Sequence, residues 1–507
     1  MNNANLYAFF ASSFPSDRNA CAIETHMGRY YTWDDLEHAS AKIANLLSAL
    51  KLPKGARVAA QVEKSPEALV LYLATIRAGY VYLPLNTAYR KAEIDYFLQD
   101  ASPAVVVCTP RNFGWVAQSA FRAGAKHVFT LDENHAGQIS GSLIARAAYQ
   151  SSHFETVESK PEDLAAILYT SGTTGRSKGA MLTHENLASN AKVLHRYWRW
   201  KSDDVLLHAL PLFHVHGLFV ASHCALLGGS KMIFLPKFDS GNVIKYLPRT
   251  TVFMGVPTYY VRLLDNPDFT QEICTNMRLF ISGSAPLLSE TFNTFRDRTG
   301  HTILERYGMS ETVMLTSNPY EGERRAGTVG FPLPDVSVRV TGTEGRPETQ
   351  GEIGEIQVKG PNVFKGYWQM PEKTAEEFTE DGYFRTGDLG SFDPDGYLSI
   401  VGRSKDLIIS GGYNVYPKEI ESVINQMDGV AESAVIGLPH SDFGEAVTAV
   451  IVARKNVQLS EAAIIGALKN QIANFKIPKK VLFVDELPRN TMGKVQKNVL
   501  RERFTDA

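Results

Sequence analysis

Short apolar runs alternate with helix-like stretches through about the first 335 residues of this chain, which has 507 residues in all. The clearest runs are residues 56–61, 104–108, 165–169, 205–210, 251–255 and 278–282. Parallel strands need a long crossover connection, usually a helix, so this alternation is typical of parallel sheets. The pattern predicts an α/β fold with helices packed on the sheets.

The pattern changes towards the C-terminus. Glycine-rich turns separate two strand-like runs, 354–360 and 396–403, which favour antiparallel pairing. A final segment of about 100 residues is long enough for a small α+β domain. In that segment a helix is predicted to begin at Pro417, because proline is favoured at the first helical position. Strand-like runs at 431–437 and 446–452 follow it.

Composition argues against several kinds of partner. The 52 lysines and arginines nearly balance the 54 aspartates and glutamates, so the basic field that binds nucleic acid or anionic lipid is missing. No apolar run approaches the roughly 20 residues that span a bilayer, and the first residues lack the pattern of a secretory signal. We therefore expect no nucleic-acid partner, no membrane partner and a cytoplasmic location. The four scattered cysteines favour reduced thiols over a zinc site or disulfides.

The strongest local motif is the segment 165–181, AAILYTSGTTGRSKGAM. A buried-looking strand runs into a loop of glycines and hydroxyl residues, where the backbone can approach an anion closely. It is not a Walker A loop, because Ser177 stands where that pattern needs its second glycine. A flexible surface loop is the alternative, but the strand before it favours phosphate binding. The groups able to reach phosphate oxygens are those of Thr170, Ser171, Thr173, Thr174 and Lys178.

The string YTSGTTGRSKG resembles the signature of the acyl-adenylate-forming superfamily, which contains acyl-CoA synthetases, peptide-synthetase adenylation domains and luciferases. Seven further segments resemble the family's other motifs, in the expected order: 210–217, 255–258, 282–287, 305–312, 383–390, 402–417 and 488–498. The resemblance covers nearly the whole chain. It implies a ligase that uses ATP and Mg²⁺ to activate an acid as an acyl-adenylate and then transfers the acyl group to coenzyme A.

The resemblance also implies an architecture. An AMP-binding N-terminal domain, 1–403, would hold parallel-rich sheets in αβαβα layers and a small β-barrel-like subdomain. A small mobile α+β domain, 404–507, would follow, with Lys405 as the hinge. Hinges are commonly residues at element ends that absorb a rotation.

The family motifs place the nucleotide. Tyr307 would stack near adenine, Asp388 would accept both ribose hydroxyls, and Arg403 would reach ribose or phosphate. Thr174 and Glu311 would hold Mg²⁺, which neutralises the triphosphate. The full set implied to bind ATP is Thr170, Ser171, Gly172, Thr173, Thr174, Gly175, Lys178, Gly283, Ser284, Ala285, Glu305, Arg306, Tyr307, Gly308, Met309, Ser310, Asp388, Arg403 and Lys494.

Catalytic roles follow from the same resemblance for Lys178, His214, Glu311 and Lys494. His214 would stand between the acid and the adenylate carbonyl, whereas His216 suits a structural role. Lys494 would enter the site for adenylation and then give way to a loop that lines the CoA tunnel. That loop contains Gly411, Gly412 and Tyr413. A protein acetyltransferase acting on Lys494 is a possible partner, since acetylation removes the charge.

Two arginines bear on the identity of the acid. Arg262 follows GVPT on a segment that lines the acid pocket in relatives, and Arg306 stands where many relatives have a small residue. Two buried guanidinium groups would repel each other unless an anion lay between them. A dicarboxylate bound by both arginines, with help from Ser284, removes this difficulty. Together with the segments 235–239, 281–288 and 488–501, the two arginines resemble the malonate-activating members of the family. The resemblance implies malonate as the acid, with His214 as a further contact to it.

Alternatives stay open at this point. The two arginines could form surface salt bridges instead. The acid could be methylmalonate, succinate or a short monocarboxylate. The chain could also be a stand-alone adenylation module that loads a carrier protein, or a sensor without catalytic activity, although a sensor could dispense with Glu311 and Lys494.

Overall fold

The structure is a computed structural model that describes residues 3–132, 140–170, 177–342, 350–410, 413–440, 443–469, 471–490 and 493–505. The elements up to residue 170 are α1 (Leu6–Ala11), β1 (Cys21–Thr25), β2 (Tyr30–Thr32), α2 (Trp33–Ala49), β3 (Arg57–Gln61), α3 (Pro66–Arg77), β4 (Val81–Pro84), α4 (Lys91–Ala101), β5 (Val105–Cys108), α5 (Phe113–Arg122), β6 (His127–Thr130), α6 (Ser142–Ala147) and β7 (Leu164–Thr170). The middle of the chain contains β8 (Lys178–Thr183), α7 (His184–Tyr197), β9 (Val205–His208), α8 (His223–Gly228), β10 (Lys231–Phe234), α9 (Ser240–Tyr246), β11 (Val252–Gly255), α10 (Pro257–Leu264), β12 (Leu279–Ser282), α11 (Ser289–Thr299), β13 (Leu304–Tyr307), β14 (Thr316–Ser317), β15 (Phe331–Pro332) and β16 (Ser337–Thr341). The last part contains β17 (Gly354–Lys359), α12 (Pro371–Glu376), β18 (Phe384–Phe392), β19 (Leu398–Arg403), β20 (Ile408–Ser410), β21 (Tyr413–Val415), α13 (Pro417–Ile424), β22 (Val430–His440), β23 (Gly444–Ala453), α14 (Glu461–Leu468), β24 (Lys480–Phe483) and α15 (Lys497–Phe504).

Two large sheets organise the N-terminal part. One has nine strands in the order β15-β14-β13-β12-β11-β9-β10-β1-β2, and the six from β13 to β1 run parallel. The other has six strands in the order β6-β5-β3-β4-β7-β8, parallel except for the β7–β8 hairpin. The α/β fold predicted from the alternating pattern is therefore confirmed.

A layer of helices joins the two sheets. Every residue of α3 except Glu67 is buried, which is typical of a helix enclosed by other elements. One apolar cluster contains Leu71 of α3 together with Val58 of the six-stranded sheet and Leu206 of the nine-stranded sheet. At the start of α2, the Thr32 hydroxyl accepts from the Asp35 backbone N–H at 3.0 Å, which fixes that helix's first turn.

A four-stranded antiparallel sheet, in the order β16-β17-β18-β19, stands where the small β-barrel-like subdomain was predicted. Asp388 in β18 lies directly opposite Arg403, the last residue of β19. This register places two predicted nucleotide-binding residues side by side.

The last segment forms an α+β unit around a five-stranded sheet, in the order β21-β20-β23-β22 with β24 beside β23. Its helix α13 begins at Pro417, as predicted. A single 3₁₀ turn, Ser404–Asp406, lies between β19 of the four-stranded sheet and β20 of this one. The domain boundary at 403/404 stays a prediction. In the described parts of the chain, no helix is both long and apolar enough to cross a membrane.

Candidate active site

The predicted motifs meet at one edge of the nine-stranded sheet. The parallel strands β9, β11, β12 and β13 all end there, and ligands of such sheets bind beyond the carboxyl ends of the strands. Segment 210–216 lies beyond β9, α10 begins just after β11, and Gly283 follows β12 directly. Motifs that are far apart in the sequence therefore lie together in one site.

Strand β13 divides this site into two sides. Successive side chains of a strand point to opposite faces, so Glu305 and Tyr307 share one face and Arg306 occupies the other. The contacts agree: Tyr307 bonds to Asp388, whereas the Arg306 guanidinium lies against Gly283. We call the Tyr307 face the nucleotide side and the Arg306 face the acid side.

Arg306 is the central group of the acid side. It is 3% exposed, and neither Nε nor Nη2 has a hydrogen-bond partner among the described residues. A Cβ added at Gly283 would lie 2.2 Å from Nη1, so only glycine leaves room for this guanidinium. Burial lowers the pKa of Arg306 to about 9, so it is still a cation near neutral pH. An unpaired buried cation is costly, and an anionic ligand would relieve that cost.

Three polar residues accompany Arg306. Ser284 has a left-handed backbone, with φ of 73°, and its Oγ lies 3.3 Å from Nδ1 of His216. His216 is fully buried, and its Nε2 has no partner within the described structure. Burial lowers the pKa of His214 to about 4, and burial likewise lowers the pKa of His216, so both rings are neutral at pH 7. His216, expected to be structural, thus contacts the predicted substrate residue Ser284.

The structure corrects the expectation of a buried arginine pair. Arg262 is exposed, because α10 turns Tyr260 and Leu263 into the core and leaves Val261 and Arg262 towards solvent. It forms no hydrogen bond or ion pair with any described residue, so the surface salt bridge considered as an alternative is also missing. A role for Arg262 in binding the acid stays a prediction.

On the nucleotide side, Asp388 is 5% exposed and both of its oxygens have partners. The Tyr307 hydroxyl donates to Oδ2 at 2.5 Å, and Arg403 Nε lies 2.7 Å from Oδ1. These contacts bring three predicted ATP-binding residues together and aim a fixed carboxylate at the site.

Glu305 lies on the same side and is also buried. Its Oε1 accepts from the Leu287 backbone N–H at 3.1 Å, whereas Oε2 has no partner among the described groups. Burial raises the pKa of Glu305 to about 7. The free oxygen is an acceptor available to a ligand.

The residues after β13 make a tight turn. A Cβ at Gly308 would lie 1.9 Å from the Val313 carbonyl oxygen, so this position requires glycine. The Met309 backbone N–H donates to the Thr312 hydroxyl at 3.4 Å. Ser310 is partly exposed beside them, and the turn leads directly to the buried Glu311.

Lys178 and Glu311 lie on either side of Tyr367. The Lys178 ammonium is 4.2 Å from the Tyr367 ring centroid and 3.4 Å from Glu377 Oε1. The Tyr367 hydroxyl donates to Glu311 Oε1 at 3.0 Å, and burial raises the pKa of Glu311. Sequence analysis missed Tyr367 and Glu377, because nothing in the run 363–377 carries a nucleotide motif.

Of the two predicted Mg²⁺ ligands, Glu311 is a described residue and Thr174 is not. No group of three or more acidic, histidine or cysteine side chains suited to a metal occurs in the described ranges. Mg²⁺ is commonly bound by one or two carboxylates together with substrate phosphates, so the single carboxylate of Glu311 fits that mode. The described residues do not include five that are predicted to bind ATP: Ser171, Gly172, Thr173, Thr174 and Gly175. Thr170 is described, and its hydroxyl donates to the Lys178 carbonyl at 3.4 Å.

Lys494 reaches this site from the C-terminal segment. A Cβ at the preceding Gly493 would lie 3.1 Å from the Thr258 hydroxyl, so the loop rests on the first turn of α10. Burial lowers the pKa of Lys494, and the nearby Arg403 lowers it further, whereas Asp388 opposes both. The lysine therefore faces the nucleotide side.

Tyr413 is the described residue of the predicted CoA loop. Tyr413 is 58% exposed, and its ring stacks on Phe475 with centroids 4.6 Å apart. Gly411 and Gly412 lie outside the described residues. Lys405 is exposed in the 3₁₀ turn, beside Asp406, which is bound by Arg501 at 2.7 Å.

A cavity of about 210 Å³ borders the segment that carries His214. Leu212, Phe213 and Tyr259 line it on one side, and Lys64 lines it on another. The Lys64 ammonium donates to the His208 carbonyl at 2.6 Å, and burial lowers its pKa. Open space therefore exists next to the site.

Comparisons with known proteins give the family. The AMP-binding enzyme family matches residues 9–368, and the AMP-binding enzyme C-terminal domain matches residues 419–494. The chain is 36% identical to a malonate–CoA ligase of Arabidopsis thaliana, over 99% of this chain and 89% of that protein. It is 57% identical to ATP-bound MatB from Rhodopseudomonas palustris, with a TM-score of 0.97 over 99% of each chain; apo MatB gives 0.86 at the same identity and coverage. The predicted family is thus confirmed, and the chain belongs to the AMP-binding enzymes.

Proposed function

We propose that this chain is a malonyl-CoA synthetase. It joins malonate to CoA and converts ATP to AMP and pyrophosphate by way of malonyl-adenylate. The observation that carries the proposal is the buried guanidinium of Arg306, which has two nitrogen atoms without partners at the acid side of an AMP-binding site. The similarity to a malonate–CoA ligase and to MatB supports it.

Malonate suits this side because it has two carboxylates. One reacts with ATP, and the other accepts charge-assisted hydrogen bonds from Arg306. Ser284 and the neutral His216 supply further polar contacts within the same buried cluster. His214 lies two residues from His216, at the boundary with the adenylate carbonyl. Arg262 would act from the rim, as a second cation near the entrance.

The nucleotide occupies the opposite face of β13. Asp388 accepts the ribose hydroxyls in exchange for its contact with Tyr307, and Arg403 keeps the carboxylate in place. The free oxygen of Glu305 is the acceptor for the exocyclic amine of adenine. Gly283, Ser284 and Ala285 leave room for the flat base and the short acid.

In the first half-reaction, a malonate oxygen attacks the α-phosphorus, the new P–O bond forms, and the bond to pyrophosphate breaks. Both partners are anions, so the site must supply positive charge. Lys494 does so from the C-terminal segment, and Lys178 from the start of β8. Mg²⁺ held by Glu311 and phosphate oxygens would add charge neutralisation. No protein nucleophile is required.

In the second half-reaction, the CoA thiolate attacks the adenylate carbonyl and AMP leaves. We infer that the C-terminal segment turns about Lys405, so that Gly411, Gly412 and Tyr413 replace Lys494 and line the CoA tunnel. The present arrangement has Lys494 at the site and Tyr413 away from it. Its closer match to ATP-bound MatB than to apo MatB supports assigning it to the first step.

A coupled AMP-release assay over a panel of acids tests this function. Malonate should give the highest kcat/KM, with methylmalonate, succinate and propionate lower. A preference for a monocarboxylate would overturn the malonate assignment while leaving the ligase. Release of AMP that depends on a carrier protein instead of CoA would favour the adenylation-module alternative.

Two finer points belong to the same proposal. We infer a cytoplasmic location, which the reduced-thiol cysteines favour. Acetylation of Lys494 by a protein acetyltransferase would switch off adenylation, because it removes the charge that opposes the two anions. Incubation with an acetyl donor and mass spectrometry of the 489–497 peptide would test the modification.

A further inference from the structure

A second lysine of the C-terminal segment enters the nucleotide side. Lys418 is the second residue of α13, and its ammonium donates a hydrogen bond to the carbonyl of Ile400 in the four-stranded sheet. The same ammonium faces Glu305 of β13, as well as Glu421 and Asp388. One side chain therefore bonds α13 to the four-stranded sheet and lies within electrostatic reach of Glu305 in the nine-stranded sheet.

Burying the Lys418 ammonium costs free energy unless an opposite charge compensates it. Burial lowers the pKa of Lys418, and the facing Glu305 is its main compensating charge. Burial raises the pKa of Glu305, and Lys418 is the leading influence that lowers it, followed by the Leu287 backbone N–H and then Arg306. Each group is therefore kept ionised partly by the other, although they make no direct ion pair. Oε2 of Glu305 has no hydrogen-bond partner among the described residues.

We propose that Lys418 is a positioning residue for the adenylation half-reaction: it docks the C-terminal segment on the nucleotide side and holds Glu305 ionised as the acceptor for the base. It acts through Glu305 and Ile400 and touches no reacting atom. Lys494 and Lys418 then have different tasks in one arrangement, since Lys494 opposes charge at the phosphate while Lys418 fixes the approach of the segment. Only the kinetic test of this inference depends on the proposed function.

The kinetic test compares Lys418→Met with wild type in the two half-reactions. Malonate-dependent pyrophosphate exchange should fall roughly tenfold in kcat/KM for ATP, the size expected for one lost charged hydrogen bond. Reaction of pre-made malonyl-adenylate with CoA should change little. The acid limb of the adenylation pH profile should move up by about 1 pH unit, because Glu305 loses its main counter-charge. In a Glu305→Gln background the Lys418→Met effect should shrink, since the two act through each other.

Lys476→Met is the matched control. Lys476 lies 2.5 Å from Glu419, which is on α13 next to Lys418. Both partners of this ion pair belong to the C-terminal segment. The Lys476→Met variant should leave both half-reactions and the pH profile unchanged. Arg454→Ala breaks a surface contact with Glu290 on the other side of the interface and separates a general weakening of docking from the loss of Lys418. If Lys418→Met does not fold, the same measurements are made on Lys418→Gln.

A measurement without substrate keeps this inference separate from the proposed function. Backbone amide exchange in β19, residues 398–403, should be faster in Lys418→Met than in wild type or Lys476→Met. Unchanged exchange, or equal loss in both half-reactions with an unshifted pH profile, would overturn the role of Lys418. A wild type that forms no adenylate from any acid would instead refute the proposed function, and the exchange comparison would still decide the docking.

Discussion

Arg403 and Asp388 lie directly opposite each other on neighbouring strands, with Nε 2.7 Å from Oδ1. The Tyr307 hydroxyl holds the other carboxylate oxygen at 2.5 Å. The nearby Asp388 carboxylate raises the pKa of Arg403. The carboxylate is therefore fixed in place before any nucleotide arrives.

Arg403→Met should raise KM for ATP by about tenfold or more, because a ribose acceptor would lose its orientation. It should also lower the free energy of unfolding by roughly 1–3 kcal/mol, since Asp388 is left with one partner. Arg385→Met is the control: Arg385 is in the same sheet and pairs with Glu355 at 2.8 Å, but both partners of that pair are more exposed than Arg403 and Asp388 are, at 42% and 25% against 28% and 7%. Urea unfolding and ATP titration measure both. If the Arg403 variant is less stable but has a normal KM for ATP, the role of Arg403 is structural only.

Arg306→Met should have opposite effects on activity and stability. It should lower kcat/KM for malonate by about a hundredfold or more, in line with the 2–5 kcal/mol that a lost buried charge pair costs. It should leave the protein as stable as wild type or more stable, because an unpaired buried cation is replaced by an apolar chain of similar length. Thermal unfolding without ligand and the acid panel measure the two effects.

Arg262→Met serves as the comparison for that variant. Because Arg262 is exposed, its loss should reduce malonate activity less than the loss of Arg306 and leave the melting temperature unchanged. An Arg262 variant that lost malonate activity as completely as the Arg306 variant would show that Arg262 folds into the site when substrate binds. Propionate activity should fall less in both variants.

Sequence patterns predicted the positions of several strands well, because hydrophobic periodicity and turn residues are local. They also placed Glu305, Arg306 and Tyr307 in one motif, and the alternation of β13 then assigns them to two sides. They failed to predict that Arg262 is exposed. The segment TYYVRLL has apolar residues on several sides of the helix, so it does not reveal which face of α10 is buried. Partners that come from distant segments, such as Tyr367 for Glu311, carry no local signal at all.

Glu305→Gln should change how stability depends on pH. The pKa of Glu305 is raised from 4.5 to about 7, so the folded state holds a proton that the unfolded state releases. Between those two values the contribution of Glu305 to stability falls as pH rises. Relative to wild type, Glu305→Gln should therefore gain about 2 kcal/mol between about pH 5.5 and about pH 8.5. Urea unfolding of both proteins across this range measures the difference, and a constant difference would show that Glu305 has an ordinary pKa.

Lys494→Ala is the sharpest test of the two-step assignment. Lys494 faces Arg403 and Asp388, on a loop that rests on Thr258, so it is placed to oppose charge as pyrophosphate leaves. Removing it should lower the rate of adenylate formation from malonate and ATP about a thousandfold, which is the effect expected when a preorganised charge is lost. The reaction of pre-made malonyl-adenylate with CoA should keep most of its rate, because the lysine is expected to leave the site for that step.

Lys479→Ala controls for the loss of a lysine from the same segment, since Lys479 is exposed. It should match wild type in both half-reactions. Lys494→Gln should imitate acetylation and behave as Lys494→Ala, because both remove the charge. Comparable loss in the two half-reactions of Lys494→Ala would refute the exchange of Lys494 for the Tyr413 loop, and full adenylation activity would reduce Lys494 to a docking residue on Thr258.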